Sequence, residues 1–292
     1  MPRPSTRFQA IGTHWQVDTD RPLDIAGLGA LHDRIARFDA DWSRFRPDSW
    51  VTRTADAGAG EYDLPGDAGP LLAAYDTAAG CTGGAVSPLV GRALEDLGYD
   101  ADYRLRPRRD EDGELIVHPV PAWSDAPRAD GRITLPADTL IDVGAAGKGY
   151  LVDLVSEVLT ERGFDAHVVD AGGDIRVLGS TLRVALEDPA DPARALGVLR
   201  VTDGAIAGSA PNRRAWGPGL HHVVDARTGR PTDRVLATWA VAPDALTADI
   251  AATALFFADP DLVAARFGIR YVVLDADRRL RWSLDLDGEV FA

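Results

Sequence analysis

The stretch Asp142-Val143-Gly144-Ala145-Ala146-Gly147-Lys148-Gly149-Tyr150-Leu151-Val152-Asp153 decides how this chain is read. A short strand signal, TLIDVG (139–144), leads into it, and a helix leads out. Apolar Leu151, Val155, Val158 and Leu159 recur at helical spacing, and Gly163 ends the run. Small residues let backbone approach a ligand closely, a helix N-terminus points N–H groups at an anion, and Lys148 adds a point charge. The segment is not a Walker A loop, because the glycine spacing differs and no Ser or Thr follows the lysine; the dinucleotide GxGxxG is also absent. The same glycines would equally serve tight helix–strand packing with no ligand at all.

Composition sharpens the question. Of 31 basic residues, Lys148 is the single lysine. An arginine-biased coding background explains the bias. A lysine kept within it also fits a position where a compact ammonium suits and a planar fork does not. The formal charge of −14 repels nucleic-acid backbones and anionic membranes, so an anionic ligand must be held locally. One cysteine, Cys81, excludes an internal disulfide and fits a reducing compartment. The N-terminal MPRPSTRFQAIGTHWQV has no apolar core of a signal peptide, and no segment is apolar for the roughly 18 residues of a membrane span. The expected setting is cytoplasmic, with no membrane insertion.

Outward from the loop, strands and helices mix without βαβ alternation. Residues 7–17 read as one strand, 24–40 as a helix and DADWSRFRPDS (39–49) as an aromatic-basic loop. GPLLAAYDTAAGCTGG (69–84) reads as a helix ended by glycines, and SPLVGRALEDLGYD (87–100) as a helix capped by Ser87 with Pro88 first. Strands are expected at ELIVHPV, ITLP, AHVVD, DIRVLG, STLRVALED, ALGVLRVTD, GAIAGSA, HHVVD and ATWAVAP. A buried helix (ALTADIAATALFF), a short helix (DPDLVAARFG) and a hairpin around 275–277 close the chain. The class is α+β rather than a Rossmann array, expected as a single domain over 1–292 with insertion loops near 51–69 and 103–131.

Three further elements carry chemistry-bearing residues. Asp249 and Thr253 lie four apart on an otherwise apolar helix, placing a carboxylate and a hydroxyl on one face; oxygen ligands of this kind suit Mg²⁺. The same residues could instead be a helix-end charge and a hydroxyl bonded back to its own helix. Gly172-Gly173-Asp174 makes a tight turn between strands. In His221-His222-Val223-Val224-Asp225, strand alternation would place His222 and Val224 opposite His221 and Asp225; without clustered cysteines the pair is no zinc site.

The order of these elements resembles the ApbE family of FAD:protein FMN transferases. The matching segments are IGT (11–13), WSRFRPDS (42–49), GAVSPLV (84–90), DVGAAGKGYLVD (142–153), GGD (172–174), GSA (208–210), HVVDARTG (222–229) and ADIAAT (248–253), spanning 11–257. The resemblance implies an ApbE-like fold that binds FAD with Mg²⁺ and moves FMN to a threonine hydroxyl of a partner protein, releasing AMP. The partner's threonine would sit in an Asp/Ser-Gly-Ala-Thr-like motif of an FMN-binding domain. Carried over by position, Asp249, Thr253 and the carbonyl of Ala145 would hold the metal. Ile11, Phe45, Ala85, Val86, Ser87, Asp142 and Lys148 would contact FAD, and His222 would be the general base. Mg²⁺-dependent hydrolysis of FAD to FMN and AMP, and non-catalytic FAD binding, are the alternatives. The chain departs from the family pattern at Ile11, Val86, Ser87, Gly208, Ala210 and Ala226.

Overall fold

A computed structural model describes residues 3–291; residues 1, 2 and 292, which the single-domain expectation includes, lie outside the described residues. The chain divides into two compact units. The first takes residues through 37, 146–210 and 234 onward, and the second takes 38–145 and 211–233.

In the first unit, eight strands form one antiparallel sheet in the order Ser5–Ala10, Thr13–Thr19, His167–Asp170, Asp174–Leu178, Ala205–Ser209, Val235–Ala242, Arg270–Asp275 and Leu280–Trp282. The single strand expected over 7–17 is a hairpin. Ile11 (φ 46°) and Gly12 (φ 73°) both take the positive φ that a two-residue turn matching strand twist requires. Side-chain alternation gives the sheet two apolar faces. Val168, Ile175, Val177, Ile206, Trp239, Val272 and Leu274 pack with Leu186, Leu199 and Val201 of a second sheet, made by Thr181–Asp188, Asp191–Thr202 and Gly288–Val290. The opposite face carries helices Gly147–Glu161 and Ala245–Ala254, with buried Thr238 donating to the carbonyl of Ala252 at 2.6 Å. Asp174 precedes Ile175 by one residue, so the same alternation turns it toward the helices.

The two helices approach closely at Gly149. A Cβ there would lie 2.2 Å from the carbonyl oxygen of Ala245 and 2.6 Å from Cβ of Asp249. The absent side chain lets the Gly149 N–H donate to Asp249 Oδ2 at 2.8 Å. Asp153, one turn further along, accepts from Ala245 N at 2.9 Å and Leu246 N at 2.8 Å, and so caps the neighbouring helix.

In the second unit, helices Trp50–Ala57 and Ala68–Thr82 accompany a three-stranded sheet of Gly60–Asp63, Arg132–Leu135 and Arg128–Ala129. The region 51–69, expected as an open loop, therefore holds a helix and a strand. Ser49 caps that helix by accepting from Thr52 N at 3.1 Å. Ser87 caps the turn Pro88–Val90, which runs into helix Gly91–Asp96. The strand expected at 139–144 does not form, because the backbone pairs with the distant turn at Pro88–Gly91 instead: Gly91 N donates to Leu140 O at 3.1 Å and Asp142 N to Pro88 O at 2.7 Å. ELIVHPV contributes only the bridge between Arg109 and Leu115. HHVVD is not one strand: Leu220–His221 and Val224–Asp225 join different hairpins, so simple alternation does not hold across it.

Among the described residues, no helix is long and apolar enough to cross a membrane. Replacing Gly149 by Ala forces a methyl group into the interhelical contact and should cost about 1–3 kcal/mol of stability. Denaturant titration checks this, and an unchanged midpoint would contradict the close approach.

Candidate functional site

The first unit gathers Lys148, Asp174 and Asp249. Lys148 stands at the second position of its helix, and its Nζ pairs with Asp174 Oδ2. Asp174 is 1% exposed, and neither of its carboxylate oxygens has a hydrogen bond of normal geometry. Asp249 is buried beside it and holds one backbone donor, Gly149 N. Burial raises both carboxyl groups above the usual range. For Asp249 the Asp174 charge adds to this, while Lys148 opposes the rise at both. Two buried carboxylates sharing one ammonium are undercompensated, and a hard divalent cation would relieve them. Thr253 follows Asp249 by one helical turn and is half-buried. Among the described residues, no three His, Cys, Asp or Glu side chains converge on a possible metal position. A site using carboxylate, hydroxyl and carbonyl oxygen is compatible with that. The donor set fits Mg²⁺ in kind, and two buried carboxyl groups against a single ammonium fit it in charge. Ile11 lies in the N-terminal hairpin turn of this unit.

The second unit holds the remaining candidates. Ala145 is its last residue before the chain passes into the first unit. Asp142 is gripped twice: Oδ1 accepts from Gly144 N at 2.7 Å, and Oδ2 pairs with Arg44 Nε. Arg44 is buried, its guanidinium carbon lies 4.3 Å from the Phe45 ring centroid and 4.8 Å from that of Tyr99, and both Nη atoms lack hydrogen-bond partners. Phe45 joins an aromatic group with Tyr99, Tyr103 and Trp216. Ala85, Val86 and Ser87 are buried and engaged locally. Ala85 O accepts from Ala226 N at 2.9 Å, Val86 N donates to Thr82 Oγ1 at 3.2 Å, and Ser87 Oγ accepts from Leu89 N at 3.2 Å. The Ser87 hydroxyl thus shapes the turn.

The two histidines separate by hydrogen bonding. His221 Nδ1 accepts from Val223 N at 3.2 Å, so in the neutral ring its Nε2 carries the proton and donates to Thr232 O at 2.8 Å, a structural role. His222 Nδ1 donates to Arg214 O at 3.5 Å, which makes Nε2 the acceptor of the neutral ring. Burial, with the Arg214 charge second, pushes its pKa down to about 4. Arg214 also donates to the Tyr99 hydroxyl at 3.1 Å, linking His222 to the aromatic group. Arg44 and Arg214 carry no signal in the sequence, because isolated arginines in an arginine-rich chain have no distinctive spacing. Asp174 was visible as a turn residue, but its burial was not.

These features define an α+β protein with a cation-ready carboxylate cluster in one unit and an acid-gripped glycine loop with aromatic neighbours in the other. The chain belongs to the ApbE family, whose model matches residues 11–269. It is 28% identical to an FAD:protein FMN transferase of Rhodobacter capsulatus over all of this chain and 57% of the relative. It is 29% identical to that of Escherichia coli K12 over 42% of this chain and 38% of the relative. The chain thus spans about half or less of the curated relatives it matches. Among solved structures, the ApbE protein of Thermotoga maritima superposes with a TM-score of 0.82 at 24% identity, covering 97% of both chains. The flavin transferase ApbE from Vibrio cholerae gives 0.81 at 20% identity, covering 98% of both. The fold is therefore ApbE-like, a mixed α+β architecture.

Lys148→Met leaves the Asp174 carboxylate buried without its counter-charge and should cost about 3 kcal/mol. Adding Asp174→Asn should recover part of that loss in denaturant titrations. A double variant no more stable than the single one would show that the pair carries no such coupling.

Proposed function

We propose that this protein is an FAD:protein FMN transferase that works with Mg²⁺. The observation that carries the reading is the buried, undercompensated pair Asp174 and Asp249 beside the single lysine of an ApbE-family glycine loop. The names of its relatives support the same activity. Asp249, Thr253 and the carbonyl of Ala145 would hold the metal, which supplies neutralisation of pyrophosphate charge. Lys148, Asp142, Phe45, Ile11 and the 85–87 backbone would bind FAD. Phosphoryl transfer demands positioning and charge compensation more than covalent chemistry from the protein, and an acidic chain must concentrate its few cations to provide them.

In the reaction, the acceptor threonine oxygen bonds to the phosphorus of the FMN half. The bond from that phosphorus to the bridging oxygen breaks, AMP leaves with the bond's electron pair, and the hydroxyl proton goes to Nε2 of His222. The acceptor would carry an Asp/Ser-Gly-Ala-Thr-like motif in an FMN-binding domain. The single cysteine fits work in a reducing cytoplasm.

The test is incubation with FAD, Mg²⁺ and such an acceptor domain, reading covalent flavin fluorescence on the acceptor and AMP in solution. Acceptor labelling with stoichiometric AMP is expected, and Asp249→Asn should lower it by at least 100-fold, the scale of losing a key electrostatic group. AMP without labelling would replace transfer by hydrolysis. FAD retention without products would make the protein a flavin binder. The pH profile tests His222 separately. Its folded pKa lies below the ordinary 6.5, so the ring is neutral and able to accept a proton until pH falls toward about 4. Accordingly, kcat/KM should show no histidine limb near 6.5; one that His222→Gln removes would contradict this assignment.

A further inference from the structure

Tyr103 lies in the 103–131 region that no family motif covers, yet it is built into the aromatic group around Phe45. Its ring stacks on Phe45 with centroids 5.1 Å apart and planes 12° apart, and meets Tyr99 edge-on at 5.7 Å. Despite these contacts the residue is 52% exposed, so the ring has surface left to offer. Its backbone takes φ 51°, and Leu105 takes φ 53°, a left-handed conformation that bulky side chains rarely adopt. The turn is held there deliberately. Buried Asp100 accepts from Asp102 N at 3.0 Å and Arg104 N at 3.1 Å through Oδ1, and from Arg104 Nε at 2.6 Å through Oδ2. Leu105 N donates to Gly98 O at 2.8 Å. A conformation this constrained presents a large aromatic face to solvent where a loop would ordinarily place a polar residue.

A second observation concerns the same aromatic group. Arg44, against the rings of Phe45 and Tyr99, keeps Nη1 and Nη2 without hydrogen-bond partners although it is buried. Unused donors beside an aromatic wall match a flat ring system with acceptor atoms along one edge, which is the chemistry of an isoalloxazine. Resting on the flavin reading above, we propose that Tyr103 is a further flavin-binding residue whose exposed face stacks on the isoalloxazine ring. Phe45 backs the tyrosine ring, and the Asp100-capped turn fixes its orientation, so little side-chain entropy remains to be lost on binding.

The test is titration of free FMN into the full chain, following quenching of flavin fluorescence. The wild-type protein is expected to bind and quench. Tyr103→Ala should weaken FMN binding about tenfold, the loss typical of one aromatic stacking partner. Tyr103→Phe should stay within about twofold of wild type, since it keeps the π face and drops only the hydroxyl. Unchanged affinity in Tyr103→Ala would overturn the proposal. So would a Phe variant as weak as the Ala variant. Tyr103→Leu, which keeps apolar bulk, guards against a merely structural effect: full affinity there would also overturn it. Failure of the wild-type protein to bind either FMN or FAD is the distinct result that removes the flavin reading itself.

Discussion

Burying two carboxylates within reach of one ammonium is the constraint around which the first unit is arranged. Lys148 and Asp174 form an ion pair in which Asp174 is almost fully shielded from water, and Asp249 lies next to them with a single backbone donor. Removing ions from water costs several kcal/mol each after relaxation, and the attraction within the cluster recovers that only with good geometry. The surrounding fold supplies the geometry. Sheet alternation turns Asp174 toward the helices, Gly149 lets the two helices touch, and Asp153 caps the helix that carries Asp249. Carboxyl groups that burial pushes above their usual range hold protons that a divalent cation would displace on binding, so the cluster is suited to receiving one.

The second unit repeats the principle with the charges reversed. Asp142 satisfies one nitrogen of Arg44, and aromatic faces lie against the guanidinium, yet its two Nη donors stay unpaired. One unit thus holds acceptors short of cations, and the other holds donors short of acceptors.

Much of this was legible in the sequence, for identifiable reasons. The helix after Lys148, the strands at 167–170 and 174–178, and the apolar helix bearing Asp249 follow from periodicity and from glycine punctuation. Errors arose where tertiary contacts or turn geometry overrode pattern. TLIDVG has strand composition, but its backbone is consumed by pairing with the distant Pro88 and Gly91. Residues 7–17 look like one strand because Ile11, an apolar residue, occupies a turn position that glycine or asparagine would have announced. The contribution of Arg44 could not be read at all, since it depends on a partner 98 positions away.

The cation site proposed at Asp249 is tested most directly by metal binding alone. Titrating Mn²⁺ into the chain and following its free concentration by electron paramagnetic resonance tests this without relying on turnover. One Mn²⁺ should be retained per chain in the presence of FAD and displaced by excess Mg²⁺, and Asp249→Asn should lose it while still folding. Equal Mn²⁺ retention by wild type and Asp249→Asn, or none by either, would contradict a cation site at Asp249.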